Sequence, residues 1–485
     1  MTVPILAKTP GTPLYVEVAE RIAALVEQQT FRPGDRVPSI RSLSRQLQVS
    51  INTVKEAYGL LEDRRVIEAR PQSGYYVCSR LPELPRDPRI EAREIEPTGV
   101  SIAELADRVM RDSERADLVQ FGCAIPNPEL LPVARIGRML AQEVRRHAQE
   151  HVAYSMPPGC ARLRTEIAKR LLVSGCTVRP GEILTTTGCS EAVFLALQAL
   201  CRPGDTVVVE SPVYFNFLQQ IQALGLRALE IPATQKEGMS LEALRYALDH
   251  NRVRVCLAIP NFHNPLGSCM PEERKRELVA LLAERGIPLI EDDIHGDLGF
   301  GSERPRAAKA WDRDGNVILC SSFSKTVAPG YRVGWMVPGR YQAQIERLKM
   351  VTNIASPAPT QLALAALLAN GGYDQHLRRI RRIYARQVAG MAEAIGRHFP
   401  AETRVTRPEG GNLLWVEMPE GIDALRLYAR AMRHGMTFAP GPLFSAAGRF
   451  RNCLRLNAAF WTPELEGTLA TLGRLAGEMQ GDRAS

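Results

Sequence analysis

From Pro13 to about Gln29 the apolar residues Leu14, Val18, Ile22 and Leu25 recur at helical spacing, which predicts an amphipathic helix. Arg32-Pro33-Gly34-Asp35 ends it with a turn. Pro38-Ser39 then opens a short second helix carrying Ile40, Leu43 and Leu47. Ser50 is a good N-cap for a third helix, Ile51 to about Glu62, with Val54, Ala57, Leu60 and Leu61 on one face. Asn52, Thr53 and Lys55 lie on the other face, near its start. Val66–Arg70 and Gly74–Val77 read as two strands joined at Pro71-Gln72-Ser73-Gly74. Three helices and a β-wing make a winged helix-turn-helix, and short polar side chains at the start of the third helix suit the reading of base edges.

The pattern changes twice more. Residues 81–117 are rich in proline and charge, at least as far as Gly99, and are expected to form an exposed linker between a DNA-binding domain over 12–80 and a body over 118–478. Beyond Leu118, apolar strands alternate with amphipathic helices, which predicts a doubly wound α/β body with a mostly parallel sheet. The expected strands are Thr206–Glu210, Val253–Ile259, Pro288–Glu291 and Val317–Cys320. Open parallel sheets bind ligands beyond the carboxyl ends of their strands.

Composition narrows the class without deciding it. A chain of 485 residues is too long for one ordinary core, so two or three domains are expected. With 45% hydrophobic residues and no apolar run of membrane-spanning length, no membrane partner is expected. The start of the chain has no basic region followed by a long apolar stretch, so a secretory signal is not expected. The 10 cysteines are scattered with no C-x-x-C pair, which favours reduced thiols in a cytoplasm over disulfides, and no metal site is expected. A net charge of +8 is compatible with binding nucleic acid, as it is with many basic enzymes.

The richest chemistry lies in Ser322-Phe323-Ser324-Lys325, with Arg332 seven positions on. A lysine that attacks an aldehyde needs small neighbours, and a tethered phosphate needs hydroxyls and a fixed cation. The segment therefore suits a lysine that carries pyridoxal 5'-phosphate (PLP) as a Schiff base. Alone, it would suit a solvated lysine equally well. Thr187-Gly188-Cys189-Ser190 opens a helix, and free amides beside a glycine form a phosphate cradle.

Residues 13–77 resemble the GntR family of DNA-binding domains, through PLY, RPGDRVPSIR, VSINTVKEAYGLLE and IEARPQSGYYV. The resemblance implies that Arg41 and Arg70 contact phosphate or bases, with Ser50, Asn52, Thr53 and Lys55 on the recognition helix and Gly74 at the wing tip. Ile51 stands where that family usually has a basic residue. Residues 118–478 resemble fold-type I aminotransferases. That resemblance implies that Cys189, Ser190, Ser322, Ser324 and Arg332 bind the PLP phosphate and that Tyr214 stacks on the ring. Asn264, in Asn264-Pro265-Leu266-Gly267, would bond the ring oxygen. Asp292 would pair with the ring nitrogen. His295 stands where many such enzymes have a tyrosine, and its protonation would add a pH dependence. Tyr154 would reach the phosphate of the other subunit's cofactor, implying a homodimer. Arg455 would grip a substrate α-carboxylate from a small C-terminal domain beginning near Ile345.

A GntR-type head on an aminotransferase-like body resembles the MocR regulators. This implies a PLP-dependent transcription regulator of operator DNA that senses PLP, or an amine or amino acid condensing with it. The alternative is an amino-acid aminotransferase with a fused DNA-binding head, since no essential PLP residue is missing.

Overall fold

The first amphipathic stretch forms α1 (Leu14–Glu27), followed by α2 (Ile40–Leu47) and α3 (Ile51–Asp63). Strands β1 (Ile67–Arg70) and β2 (Gly74–Val77) pair antiparallel as the wing, with Arg70 opposite Gly74. The computed structural model describes residues 13–27, 30–31, 34–64, 66–70, 73–78, 85–89 and 96–481. Gln29, Arg32, Pro33, Pro71 and Gln72, which figure in the sequence expectations, lie outside these residues. The chain divides into two units, Met1–Leu84 and Pro85–Ser485.

The head is built on its own core. Val18, Ile22, Leu43, Val54, Ala57, Leu61, Ile67 and Val77 are buried in one cluster. Both serine caps are made: Ser39 Oγ accepts from the amide of Ser42 at 3.2 Å and Ser50 Oγ from that of Thr53 at 3.0 Å. Such a cap stabilises a helix by about 1 kcal/mol. Tyr58, which the pattern did not single out, is fully buried at the centre, and its hydroxyl donates to the Pro38 carbonyl.

The body contains a nine-stranded sheet. Its strands are β3 (Thr98–Gly99), β5 (Leu184–Thr186), β6 (Thr206–Ser211), β7 (Arg227–Thr234), β8 (Gly238–Met239), β9 (Val253–Ala258), β10 (Leu289–Asp292), β11 (Val317–Ser322) and β12 (Gly334–Val337). The spatial order is β3-β7-β6-β9-β10-β11-β12-β5, with β8 beside β7. Neighbours from β7 through β11 are parallel, and both flanks are antiparallel. Alternate residues enter different cores. Val207, Val209, Val255 and Leu257 join one, while Val208, Cys256 and Ala258 join another with the helices Leu241–His250 and Glu272–Glu284. Burial on both faces explains why these strands read as continuous apolar runs. The four expected strands are present, with ends displaced by one or two residues.

Two short strands, β4 (Val119–Gln120) and β15 (Met436–Thr437), pair in parallel. A separate antiparallel sheet joins β13 (Arg404–Val405), β14 (Leu413–Glu417), β17 (Cys453–Asn457) and β16 (Ala439–Pro440), in that order.

The expected linker over 81–117 requires correction. Thr98–Gly99 extends the large sheet beside β7, and a helix over Ala103–Asp112 follows. Ile102 at its N-cap, with Ala106 and Val109 of the helix, enters the main body core. Their four- and three-residue spacing is the physical reason, since it places all three on one helical face. Residues 85–89 are also docked on the body, at the outer edge of the small sheet. The Val405 amide donates to the Arg86 carbonyl at 2.9 Å.

Candidate functional site

In the body, β5 ends at Thr186 and Gly188 leads into the helix Cys189–Leu200 with φ of +95°. A Cβ at Gly188 would collide with the Arg332 guanidinium, so the glycine permits the close approach. Arg332 donates to the Thr187 carbonyl at 3.0 Å and to Ser324 Oγ at 3.5 Å, and the Ser324 amide donates to Ser322 Oγ at 3.2 Å. The guanidinium, the two serines and the first helical turn therefore converge. Ser190 is exposed on that turn. The Cys189 side chain points elsewhere: its thiol donates to Asp292 Oδ1 at 3.4 Å, and burial raises its pKa.

Asp292 closes β10. Its Oδ1 also accepts from the Ile294 amide at 3.0 Å, but burial dominates and raises the carboxyl to about 6. Lys325 follows β11, and its Nζ donates to the Ala124 carbonyl at 2.5 Å. Burial lowers the pKa of this amine, and the positive charge of Arg455 acts in the same direction. His295 is buried with neither ring nitrogen hydrogen-bonded to a described residue, and burial lowers it to about 3. The imidazole is therefore neutral across the physiological range, so the pH dependence anticipated for it moves to strongly acidic solution.

Arg455 lies in β17, opposite Trp415 of β14, and is only 1% exposed. It donates to Asn264 Oδ1 at 2.9 Å and to the Gly122 carbonyl at 2.5 Å. The Phe444 and Phe215 rings lie 5.1 and 5.9 Å from its central carbon. Its Nε has no hydrogen-bond partner among the described residues, and none of its described partners is a carboxylate. A buried cation lacking an anion is costly. Tyr214 is half-buried, edge-on to Phe215 and Phe217 at 5.3 Å each.

Tyr154 stands apart from this constellation within the single chain, 77% exposed. A bridge between Ser155 and Ser356 brings its segment to the chain following the helix Gln342–Asn353. Val152 and Met156 are exposed beside Tyr154, as are Val351 in that helix and Ile354 just after it.

Sequence reasoning missed the strip Phe121–Ile125, which the site uses through its backbone. Besides Lys325 and Arg455, Asn457 holds it: Nδ2 donates to the carbonyls of Cys123 and Ile125 at 2.6 and 2.8 Å. Backbone acceptors leave no side-chain signature. Thr326 was also missed. Tyr373 donates to its hydroxyl at 3.1 Å and His376 Nε2 lies 2.7 Å from its carbonyl, both from one long helix, Gly372–His398.

In the head, Ile51, Asn52 and Lys55 are exposed on the first turns of α3. Thr53 is half-buried, and Ser50 Oγ and Thr53 Oγ1 lie 2.8 Å apart, so these hydroxyls serve the cap first. Arg41 is exposed on α2. Arg70 is paired with Glu68 at 2.8 Å and lies over the Tyr76 ring at 4.5 Å. Gly74 has φ of +113°, and a Cβ there would sit 3.2 Å from the Arg36 side chain, a wing cation the sequence did not single out.

Residues 14–77 match the gntR family of bacterial regulatory proteins, and residues 130–470 match aminotransferase class I and II. The uncharacterized HTH-type transcriptional regulator YdcR of Escherichia coli K12 is 39% identical over 96% of this chain and 99% of its own length. The chain belongs to the MocR branch of the GntR regulators. Like other MocR chains it joins a GntR head to an aminotransferase-like body. The 2-aminoadipate transaminase of Thermus thermophilus is 33% identical over 77% of this chain and 93% of its own. The solved structure of LysN, an α-aminoadipate aminotransferase from that organism complexed with N-(5'-phosphopyridoxyl)-L-leucine, superposes with a TM-score of 0.72 at 32% identity. It covers 79% of this MocR chain and 100% of the enzyme. No described helix is long and apolar enough to cross a membrane.

Proposed function

We propose that this MocR protein is a cytoplasmic transcription regulator whose body holds PLP and responds to an amine or amino acid, altering how a pair of heads grips operator DNA. The observation that carries the reading is Arg455, a buried guanidinium with no carboxylate among its described partners, in the same site as Lys325 and Asp292.

The residues fit the cofactor. Arg332, Ser322, Ser324 and the helix amides at Cys189 and Ser190 would hold its phosphate. Asn264 and His295 would face its ring oxygen, and the two orphaned nitrogens of His295 support a polar ligand there. Tyr214 would pack on the ring. When bound, PLP supplies an aldehyde that condenses with amines and a ring that draws electrons. Asp292, in its ionised form, would hold a proton on the ring nitrogen. Lys325 is the nucleophile, and its lowered pKa enlarges the neutral fraction able to attack. Arg455 would bind the carboxylate of an incoming amino acid and so direct its amine at the cofactor's aldehyde rather than leave it free in the site.

The exposed apolar residues near Tyr154 and Ile354 support a homodimer in which Tyr154 reaches the partner's cofactor phosphate. In the head, Asn52 and Lys55, with Arg41 and the wing around Gly74, would contact DNA, and Ser50 and Thr53 would hold the helix that presents them. Arg70 would join them by exchanging Glu68 for phosphate.

The second reading, an amino-acid aminotransferase with a fused head, is favoured by the likeness to the 2-aminoadipate transaminase. Two measurements separate the readings. Gel shifts on the DNA upstream of the protein's own gene, with and without PLP and amino acids, should show selective binding that these compounds change. Steady turnover of an amino acid and a keto acid, without selective DNA retention, would overturn the regulator.

A further inference from the structure

The docked segment Pro85–Arg89 lies between two parts of the chain that the proposed function requires to communicate. Six residues, 79–84, separate it from the end of the described wing at Cys78. Its four described hydrogen bonds all go to the small sheet or the turn leaving it. The Val405 amide donates to the Arg86 carbonyl at 2.9 Å, and Arg86 bridges Arg404 in parallel register. Arg404 donates to the Asp87 carbonyl at 3.0 Å, and Arg407 to that of Pro85 at 2.9 Å. The Arg89 amide donates to Glu417 Oε2 at 2.6 Å. The segment thus extends β13, whose neighbour β14 pairs with β17, the strand of Arg455.

A few residues later the chain attaches to the large sheet of the same body. Thr98 and Gly99 pair with Ala228 and Arg227 of the large sheet, and Arg227 donates to the Pro97 carbonyl at 2.7 Å. Asp292 belongs to that sheet and Lys325 to the turn leaving its strand β11, whereas Arg455 belongs to the small one. Between the two sheets lies a cavity of about 700 Å³. Pro88 and Arg89 line it on the side of the docked segment, Ser211 and Glu230 on the large sheet, and Trp415 and Cys453 on the small sheet. The cavity is a gap in the packing on the side of the docked segment, beside a core that residues of both sheets share.

We propose that Pro85–Arg89 is a strap that makes the head follow the small sheet rather than the large one. The inference rests on the regulator reading. When a carboxylate draws Arg455 and its sheet toward Lys325, the strap moves with β13 and takes the adjoining end of the head's tether with it. The signal is thereby read from the element that captures the ligand.

Two insertions in the full-length protein test this. An eight-residue Gly-Ser spacer adds slack of about 15 Å. Placed between Leu84 and Pro85, it separates the head from the strap. Placed between Ala92 and Arg93, it leaves head and strap joined and loosens only the connection to the large sheet. DNA affinity is measured with PLP alone and with PLP plus each of the twenty proteinogenic amino acids. The expected result is a ligand effect of about fivefold or more in the parent, less than twofold with the first spacer, and the parental effect with the second. If both spacers abolish the effect, or neither does, the strap is overturned while the regulator stands. A parent whose DNA affinity ignores every addition overturns both. Unchanged cofactor absorbance in each insertion protein confirms that the body has folded.

Discussion

Arg455 Nη1 donates to Asn264 Oδ1 at 2.9 Å, joining a strand of the small sheet to the turn beyond the large-sheet strand β9. A ligand carboxylate that engages this guanidinium competes with the Asn264 oxygen for the same donors. Capture of a carboxylate there would therefore be coupled to what Asn264 could do for a bound ring, a connection made by one hydrogen bond.

Replacing Arg455 with methionine should weaken the response to amino acids by about ten- to a hundredfold, as expected for loss of charge-assisted hydrogen bonds. A matching amine without the carboxylate should act equally on both proteins. Since the change also removes a buried charge, the melting temperature should not fall. Titration by absorbance and a thermal melt check the two parts.

Asp292→Asn should stabilise the cofactor-free protein at pH 8 by about 3 kcal/mol, from a folded carboxyl near 6 against an unfolded value near 3.8. The sign follows from the raised pKa. Above pH 6 the wild type must keep a charge buried, a cost that disappears as pH falls through 6 toward 4. Melting temperatures of the two proteins should therefore converge in acid, and added PLP should raise that of the wild type more.

Lys325→Ala should remove the visible absorbance that PLP acquires on binding, and borohydride treatment followed by peptide mapping should label the wild type at Lys325 alone. An unchanged spectrum in the variant would disprove the lysine assignment.

Gly188→Ala should lower PLP affinity at least tenfold while leaving DNA affinity without PLP intact. The new Cβ would meet the Arg332 guanidinium, and φ of +95° disfavours any side chain. Equilibrium titration with PLP measures the loss.

Ile51 is 52% exposed on the first turn of α3, among the polar residues expected to face the groove. An apolar side chain there suits the methyl group of thymine. Replacing one operator thymine by uracil should reduce binding of the wild type several-fold and leave Ile51→Ala unaffected. A scan of single uracil substitutions would locate the base.

Much of this was legible in the sequence. The head's helices and wing followed from apolar spacing, two serine caps and turn residues, because these are local signals. The strands of the body were equally plain, since burial on both faces makes them continuous apolar runs. The strap was hidden, because Pro85–Arg89 docks largely through backbone groups and its prolines and charges resemble those of a solvated linker. The helix Ala103–Asp112 did carry its signal, in Ile102, Ala106 and Val109, but charged neighbours obscured it. At the site, residue types pointed to Lys325 and Asp292. They could not reveal that the Cys189 thiol turns to Asp292, or that burial keeps His295 neutral, because both depend on side-chain direction and enclosure.

The described residues of the cluster around Tyr58 all lie between Tyr15 and Val77. A DNA reader with a core of its own would be an interchangeable part. Exchanging it for another winged domain at the same junction would send an unchanged chemical response to a different set of genes.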